Sequence, residues 1–260
     1  MVRLAWLAHS YWQATRVCIE AQAWTILETL DPASTRVDIH HPELMIRLAE
    51  KNIQKTWIAT QPDLIAICPG PGKSELAYQC LCASLSYPQI PLIIDADALN
   101  LISESPELLE QLRERNTTYP GLTTLTPHPG EAAKLLKTTT EQVQSNRLKA
   151  IQQLVELTQS IIVLKGQHTL IASPQHPPVQ CMAGTPCIGT RGMGDVLTGS
   201  IAAIAGQGVR HHLDLWEANG IAVEFHARAA DSLIDKGICP IGPTPSETIL
   251  EMRSLSNKLP

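Results

Sequence analysis

Short segments that are apolar throughout, separated by longer helical patterns, constrain the fold of this 260-residue chain more than any other feature. A strand with one face in water alternates polar and apolar residues, whereas a strand covered on both faces is apolar at every position. The pattern therefore predicts an α/β fold in which helices cover both faces of a mostly parallel sheet. The predicted strands are residues 4–8, 64–68, 92–95, 122–125, 161–164 and 170–172.

Two segments between these strands carry clear helix signals. Ser105 offers a capping hydroxyl, Pro106 fits the first turn, and Arg115 suits the end of the same helix. The segment from 139 to about 159 predicts one amphipathic helix with its apolar residues on one face. Those apolar residues are Leu148, Ile151, Leu154 and Val155.

The chain shows no internal repeat, low-complexity tract or long linker rich in Pro, Gly and Ser. We therefore expect a single domain over residues 1–260. Residues from about 240 to 260 are first rich in proline and then polar, and we expect them to form a weakly ordered tail.

Charge and cysteine content exclude several classes of protein. A net charge of −5 without a Lys/Arg-rich run argues against nucleic-acid binding. No apolar segment is long enough to span a membrane and no signal sequence is evident, so we expect no membrane contact and a cytoplasmic location. The seven cysteines include no CxxC pair, which predicts free thiols in a reducing compartment and no cysteine metal site.

The stretch GTRGMGDVLTG, residues 189–199, combines glycines with one acid before an apolar helix. The amides of Gly192 and Gly194, aided by the helix N-terminus, predict an anion site. Asp195 at its rim, hydrogen-bonded by free amides, should stay ionised and could accept a proton from a substrate hydroxyl. Alternatively, the glycines only make a tight turn and Asp195 only caps the helix. Gly206 or Gly208 is expected to end that helix.

Four further stretches place polar residues at or beyond the carboxyl ends of strands, where open α/β sheets build their sites. They are ICPGPG (67–72), IIDADALNLI (93–102), TPHPGEAAKLL (126–136) and VLKGQHTLIA (163–172). Each has a structural alternative. Asp97 and Glu131 would cap helices, His128 would lie at the surface of a turn, and Lys165 would be a hairpin charge.

Taken in order, DADALN, TPHPGE, LKG..T.IA and GMGDVLTG resemble the ADP- or ATP-dependent NAD(P)H-hydrate dehydratases. The resemblance runs from about residue 60 to about residue 235. It implies a ribokinase-like three-layer α/β sandwich and a role in metabolite repair. The terminal phosphate of ADP or ATP would be transferred to the hydroxyl of hydrated NADH or NADPH (NADHX or NADPHX). Elimination of that phosphate would then restore the nicotinamide ring double bond.

The resemblance also implies site residues. Asp195 would activate the substrate hydroxyl, and the amides of Gly192 and Gly194 would bind the transferring phosphoryl group. Mg²⁺ would bridge phosphate oxygens. Besides Gly192 and Gly194, the nucleotide-binding residues would be Lys165, Gly166, Gln167, His168 and Thr169. The substrate-binding residues would be Ala14, Gly70 or Gly72, His128 and Asp195, whereas Asp95, Asp97 and Asn100 lie in a family motif to which we assign no role.

The chain departs from the family pattern at several positions. Ala8 and His9 stand where family members usually have a Gly-Gly loop, and Cys68 stands where the GPGLG of the family would start. Arg191 replaces a smaller residue, and Ala227 replaces a frequent glycine after His226. The further departures are Pro71 for a leucine and Cys187 for a glycine. Either the chain is a divergent working enzyme, with Arg191 as a cation beside the phosphates, or it has lost tight substrate binding.

Two alternative functions remain open from the sequence. One is a ribokinase-fold vitamin-precursor kinase that uses Asp195 as base, and the other is a catalytically silent adenylate-binding protein. The resemblance further implies a homo-oligomer. We expect any NAD(P)HX epimerase of the same pathway to be a separate protein.

Overall fold

A nine-stranded sheet runs through the described part of the chain. The computed structural model describes residues 3–8, 24–31, 33–34, 37–38, 42, 44–49, 52–67, 74–184, 189–238 and 242–258. The strands are β1 (Arg3–Ala8), β2 (Trp24–Thr29), β3 (Met45–Leu48), β4 (Leu64–Ile67), β5 (Leu92–Ile94), β6 (Thr123–Leu125), β7 (Ile161–Leu164), β8 (Leu170–Ser173) and β9 (His176–Gln180). Their order across the sheet is β3-β2-β1-β4-β5-β6-β7-β8-β9.

Pairing is parallel from β3 through to β7 and antiparallel from β7 to β8 and from β8 to β9. The residues of β4 to β8 are buried at every position, as expected for strands covered on both faces. The prediction of an α/β fold with a mostly parallel sheet is confirmed.

Ten helices accompany these strands in the described residues. They are α1 (Ile53–Thr60), α2 (Glu75–Ser86), α3 (Asp97–Glu104), α4 (Pro106–Thr118), α5 (Pro129–Leu135), α6 (Thr140–Ser145), α7 (Arg147–Thr158), α8 (Met193–His211), α9 (Leu215–Asp235) and α10 (Pro245–Ser256).

The core consists of two apolar clusters, one on each face of the sheet. Along β4, Ile65 and Ile67 belong to the cluster that also contains buried residues of α1 to α7. Leu64 and Ala66 belong to the cluster with α8, α9 and α10. Because successive side chains of a strand point to opposite faces, this alternation defines helix, sheet and helix layers. The three-layer sandwich is therefore confirmed.

The sequence predicts one helix over the segment 139–159, but the structure has two helices there, α6 and α7. Asn146 leaves helical geometry at φ −148° and ψ 75°, and its side chain accepts a hydrogen bond from Lys149 N, which starts α7. Ile151 and Leu154 are buried as expected. Leu148 was assigned to the apolar face, but 55% of it is exposed, because the break rotates the first turn of α7 away from the core.

Two predictions for the carboxyl-terminal third differ from the structure, namely where α8 ends and how residues 240–260 are ordered. Helix α8 does not end at Gly206 or Gly208 but continues to His211, and His212 terminates it at φ 57°. Where a weakly ordered tail was predicted, Pro245–Ser256 form α10, which buries Ile249 and Met252 in the core. None of the helices formed by the described residues is long and apolar enough to cross a bilayer.

Arg115 fixes the segment that leads into β5. Its buried guanidinium donates to the carbonyls of Ser84 and Leu85 at the end of α2, of Tyr87, and of Ile90. The carbonyl of Ser84 also accepts from Tyr87 N. Those of Leu85, Tyr87 and Ile90 lie where a helix ends and a loop passes through the interior, so without the arginine they would lose this donor.

Replacing this arginine should therefore destabilise the whole domain. We expect Arg115→Met to lower the free energy of unfolding by about 3 kcal/mol, since several buried carbonyls lose their donor. Arg113→Met is the control on the same helix; its side chain donates to Leu157 O at an exposed position, and we expect a change within about 0.5 kcal/mol. Urea unfolding followed by circular dichroism measures both. Equal losses would contradict this role for Arg115.

Candidate active site

The carboxyl ends of three neighbouring strands bring the predicted polar stretches together. Asp95 follows β5, His128 lies three residues beyond β6, and Lys165 follows β7. Strands β5, β6 and β7 are adjacent and parallel, so these ends lie along one edge of the sheet. The sequence analysis expects the site at this edge.

Asp95 is at the centre of the hydrogen bonds in this region. Its Oδ1 lies 2.6 Å from Lys165 Nζ and accepts from Ala96 N at 2.9 Å. Its Oδ2 accepts from Thr198 Oγ1 of α8 at 2.6 Å. The residue is 1% exposed. Asp95, which had no assigned role, therefore links β5, β7 and α8 and holds the Lys165 ammonium in place.

Ala96 next to it has a strained backbone. Its φ of 49° and ψ of −115° are unusual for a residue with a Cβ. Such a conformation costs on the order of 1–3 kcal/mol and persists where the surroundings enforce it. Here the hydrogen bond from Ala96 N to the Asp95 carboxylate supports it and sets the start of α3.

Two glycines of residues 189–199 are required for different structural reasons. Gly192 caps α8 at φ 87°, a conformation that residues with a Cβ rarely adopt. At Gly194 a Cβ would lie 3.3 Å from Lys165 Nζ, so glycine lets the ammonium approach the first turn of α8. Met193 N donates to Thr190 O, whereas the next amides of this turn have no partner within the helix. Together with the nearby Lys165 charge, they suit an anion.

Asp195 lies in this first turn and is partly buried. Burial above all, together with Asp95 and Glu131, raises the pKa of its carboxyl to about 7, although Lys165 lowers it. The expectation that hydrogen-bonded amides keep this carboxylate firmly ionised is therefore wrong, because desolvation and like charges outweigh them. A carboxylate with this pKa can both accept and release a proton near neutral pH.

Lys165 is the cation that faces these carboxylates. Burial lowers the pKa of its ammonium, but Asp95, Glu131 and Asp195 together raise it above its ordinary value. The ammonium therefore stays charged at neutral pH.

His128 and Glu131 form a capping box at the start of α5. His128 Nδ1 accepts from Gly130 N at 2.9 Å, and Glu131 Oε2 accepts from His128 N at 2.8 Å. The proton of the neutral ring is therefore on Nε2, which lies 3.4 Å from Glu131 Oε1. Burial, aided by Lys165, lowers the pKa of His128, so the ring is neutral at pH 7. Burial raises the pKa of Glu131 to about 7.

A cavity of about 270 Å³ opens beside Lys165 and the start of α8. All five residues of the turn 165–169 line it, together with Gly194. Of the predicted nucleotide-binding residues in the described chain, Gly192 alone does not line it. The remaining lining residues are Cys181, Ala183, Gly184, Gly189, Met193, Leu197, Val223, His226 and Ala227.

Several residues of this region escaped the sequence analysis. Thr198 lies within GMGDVLTG and His226 precedes the departure at Ala227, but the sequence analysis assigns no role to either residue. Arg147 donates to the carbonyls of Leu164 and Lys165 and supports the turn from behind. Gly166 has φ 140°, and a Cβ there would collide with the Arg147 guanidinium. In the sequence, the only hint of Arg147 is Gly166, because a glycine in a turn can mark the close approach of another side chain.

Some predicted residues cannot be placed. Ala14, Gly70 and Gly72 lie outside the described residues, as do the departures His9, Cys68, Pro71 and Cys187. Arg191 lies exposed two residues before α8.

The raised pKa of Asp195 predicts a pH-dependent effect on stability. Because the pKa of this carboxyl is about 7 in the folded protein and 3.8 when it is unperturbed, its destabilising effect grows as the pH rises between these two values and is larger at pH 8 than at pH 5. Asp195→Asn, which is neutral at both pH values, should raise the Tm by at least about 2 °C more at pH 8 than at pH 5. Differential scanning fluorimetry measures this, with Asp235→Asn at an exposed position as control. The same gain at both pH values would contradict the raised pKa.

Comparison with known proteins identifies the family. The family model described as NAD(P)H-hydrate dehydratase matches residues 25–250. The chain is 32% identical to an ADP-dependent (S)-NAD(P)H-hydrate dehydratase of Neisseria meningitidis, over 84% of this chain and 70% of that protein. It is 37% identical to a bifunctional NAD(P)H-hydrate repair enzyme of Coxiella burnetii, over 75% of this chain.

The chain spans only about a third of the length of the bifunctional relatives that it matches, 37% in the Coxiella protein. Among solved structures, a ribokinase-like superfamily protein of Enterococcus faecalis is 26% identical, with a TM-score of 0.75 over 98% of this chain and 87% of that one. The ribokinase-like fold is therefore confirmed. With the polar edge of its sheet and the family match over most of its length, the chain belongs to the NAD(P)H-hydrate dehydratase family.

Proposed function

We propose that the protein dehydrates NAD(P)H hydrate with ADP or ATP, by phosphoryl transfer followed by phosphate elimination. The observation that carries the proposal is the position of Asp195, whose pKa is raised to about 7, directly after Gly194, which lines the cavity together with Lys165. A proton acceptor, a helix start suited to an anion and a cavity thus adjoin one another. The names of the relatives agree with this activity.

The nucleotide would occupy the cavity, with its phosphates towards the amino end of α8. Lys165 supports this orientation, because it lines the cavity and also lies beside Gly194. The first-turn amides and the ammonium would neutralise charge on the terminal phosphoryl group during transfer. Gly192 would contribute by its left-handed conformation, which turns the chain into α8.

Asp195 would accept the proton of the substrate hydroxyl as its oxygen attacks the terminal phosphorus, and the bond from that phosphorus to the nucleotide breaks. In the second step the C–O bond of the phosphate ester breaks, phosphate leaves with the electron pair, and the adjacent ring carbon loses a proton. The ring double bond is thereby restored. A pKa near 7 suits Asp195 for accepting the first proton at neutral pH.

His128 would contact the substrate on the other side of Lys165. Its neutral ring presents an Nε2–H donor at the surface of the site, with Nδ1 occupied by the amide of Gly130. Ala14 and Gly70 or Gly72 complete the proposed substrate-binding residues.

Mg²⁺ fits the charges of the site. Three carboxylates, of Asp95, Asp195 and Glu131, surround one ammonium, so a divalent cation would balance the excess negative charge. No group of three or more His, Cys, Asp or Glu side chains arranged to hold a metal occurs among the described residues. This suits Mg²⁺ held mainly by nucleotide phosphates, with Asp195 or Glu131 as the protein donor. When bound, it would neutralise charge on the phosphates.

The raised pKa also favours a catalytic protein over a silent adenylate binder. A partly buried carboxylate without a proton to transfer only destabilises the fold. A vitamin-precursor kinase would use the same base, so the substrate assay below must separate it from the dehydratase.

Asp195→Asn should remove turnover and leave nucleotide binding intact. We expect recovery of NADH absorbance from NADHX, Mg²⁺ and ADP or ATP to fall by at least about 100-fold, since the general base is lost. The Kd for ADP should stay within about twofold, because Asp195 does not line the cavity. For the wild type, log(kcat/KM) should rise with pH and level off above about 7. Near wild-type turnover in the variant would exclude Asp195 as the base.

Lys165→Met should weaken ADP binding and also destabilise the protein, because Asp95 is left buried without its cation. The double variant Asp95→Asn with Lys165→Met separates the two effects. We expect it to recover most of the Tm while the Kd for ADP stays raised by at least about 10-fold. Lys134→Met, at an exposed position on α5, is the control. Recovery of ADP affinity in the double variant would show that Lys165 acts only through the fold.

A further inference from the structure

Two histidines of the cavity have ring nitrogens without a hydrogen-bond partner. In the described residues seven buried side-chain polar atoms lack one, and two of these are His226 Nε2 and His168 Nδ1. Both residues line the cavity beside Lys165. Buried polar atoms are nearly always satisfied, so two exceptions on the wall of one cavity point to a ligand that supplies the missing partners.

His226 lies in α9 and lines the same cavity as the turn 165–169. It is 8% exposed. Its ring hydrogen-bonds the backbone of Met193, the first residue of α8, and this bond favours the protonated form, so the ring is the donor. Since Nε2 has no partner, the donor is Nδ1. Burial lowers the pKa of His226 to about 4, so the ring is neutral and Nε2 carries a free lone pair.

This lone pair needs a hydrogen-bond donor. In an adenine nucleotide the phosphate oxygens and the unsubstituted ring nitrogens only accept, whereas the 6-amino group and the ribose hydroxyls donate. The neighbouring wall residues Leu197, Val223 and Ala227 are apolar and suit the flat face of a base better than a ribose.

We propose that His226 is a specificity-determining residue, whose Nε2 accepts a hydrogen bond from the nucleoside part of the nucleotide, with the adenine 6-amino group as the donor. The inference rests on the proposed function, because it requires an adenine nucleotide in this cavity. His226 would therefore serve both sides of the site: Nδ1 supports the start of α8, and Nε2 reads the base.

Two substitutions separate these roles. The amide of an asparagine reaches about as far from Cβ as Nδ1 of histidine, and the amide of a glutamine about as far as Nε2. His226→Asn can thus keep the bond to Met193 and lose the acceptor, whereas His226→Gln can keep the acceptor and lose the bond to Met193.

The test is calorimetric titration of ADP, IDP and 2′-deoxy-ADP into wild type and both variants, with Tm as a check of folding. IDP has a carbonyl in place of the amino group. We expect the wild type to bind IDP about 5- to 10-fold more weakly than ADP, the effect of one hydrogen bond. His226→Asn should bind ADP as weakly as the wild type binds IDP and no longer distinguish the two. His226→Gln should retain part of the preference.

If the preference that disappears in His226→Asn is the one against 2′-deoxy-ADP, the donor is the ribose, and the role of His226 in binding the nucleoside still holds. A uniform loss for all three ligands in His226→Asn, or full affinity there with loss only in His226→Gln, would overturn the proposal and leave His226 as a brace of α8. Folded wild type that binds none of the nucleotides would overturn the proposed function together with it.

Discussion

The contact between Asp95 and Lys165 holds the site together. It joins the ends of β5 and β7 across β6, and Thr198 ties the same carboxylate to α8. A buried ion pair repays its desolvation only when further hydrogen bonds satisfy the remaining lone pairs. Asp95 meets this condition through Thr198 and Ala96 N. The resulting position of Lys165 determines how closely it approaches Gly194, and hence where the turn 165–169 faces the start of α8.

Asp95, Asp195 and Glu131 place more negative charge at this edge of the sheet than the Lys165 ammonium balances. Burial above all raises the pKa of both Asp195 and Glu131 to about 7, and the charge of Asp95 contributes to both shifts. The free protein therefore stores unfavourable electrostatic energy at the edge of the sheet. A bound cation would release part of it, and transfer of a proton to Asp195 would release another part. Such a cost to stability is typical of catalytic sites.

The sequence predicts the parts of this structure that depend on local pattern. The apolar segments of β4 and β7 reveal the buried parallel sheet, and the polar stretches beyond them reveal its active edge. Strand β2 was missed because it buries Glu28 among polar residues, and β9 because its two prolines suit only an edge strand. The direction of the Asp195 pKa shift was also missed, since it depends on burial and on carboxylates about 60 and 100 residues away in the chain.

Hydrogen-bond partners distinguish residues that hold the site together from residues that keep an atom free to bind a ligand. The oxygens of Asp95 both have strong partners, so this residue is already fully used within the protein. His226 satisfies one nitrogen inside the protein and leaves the other free on the wall of the cavity. An atom with no partner can bind a ligand at no cost in existing bonds, whereas an atom whose hydrogen-bonding capacity is already filled would have to break a bond first. Sequence motifs do not reveal this distinction, since Asp95 lies in a family motif whereas His226 was noted only beside a departure from the family pattern.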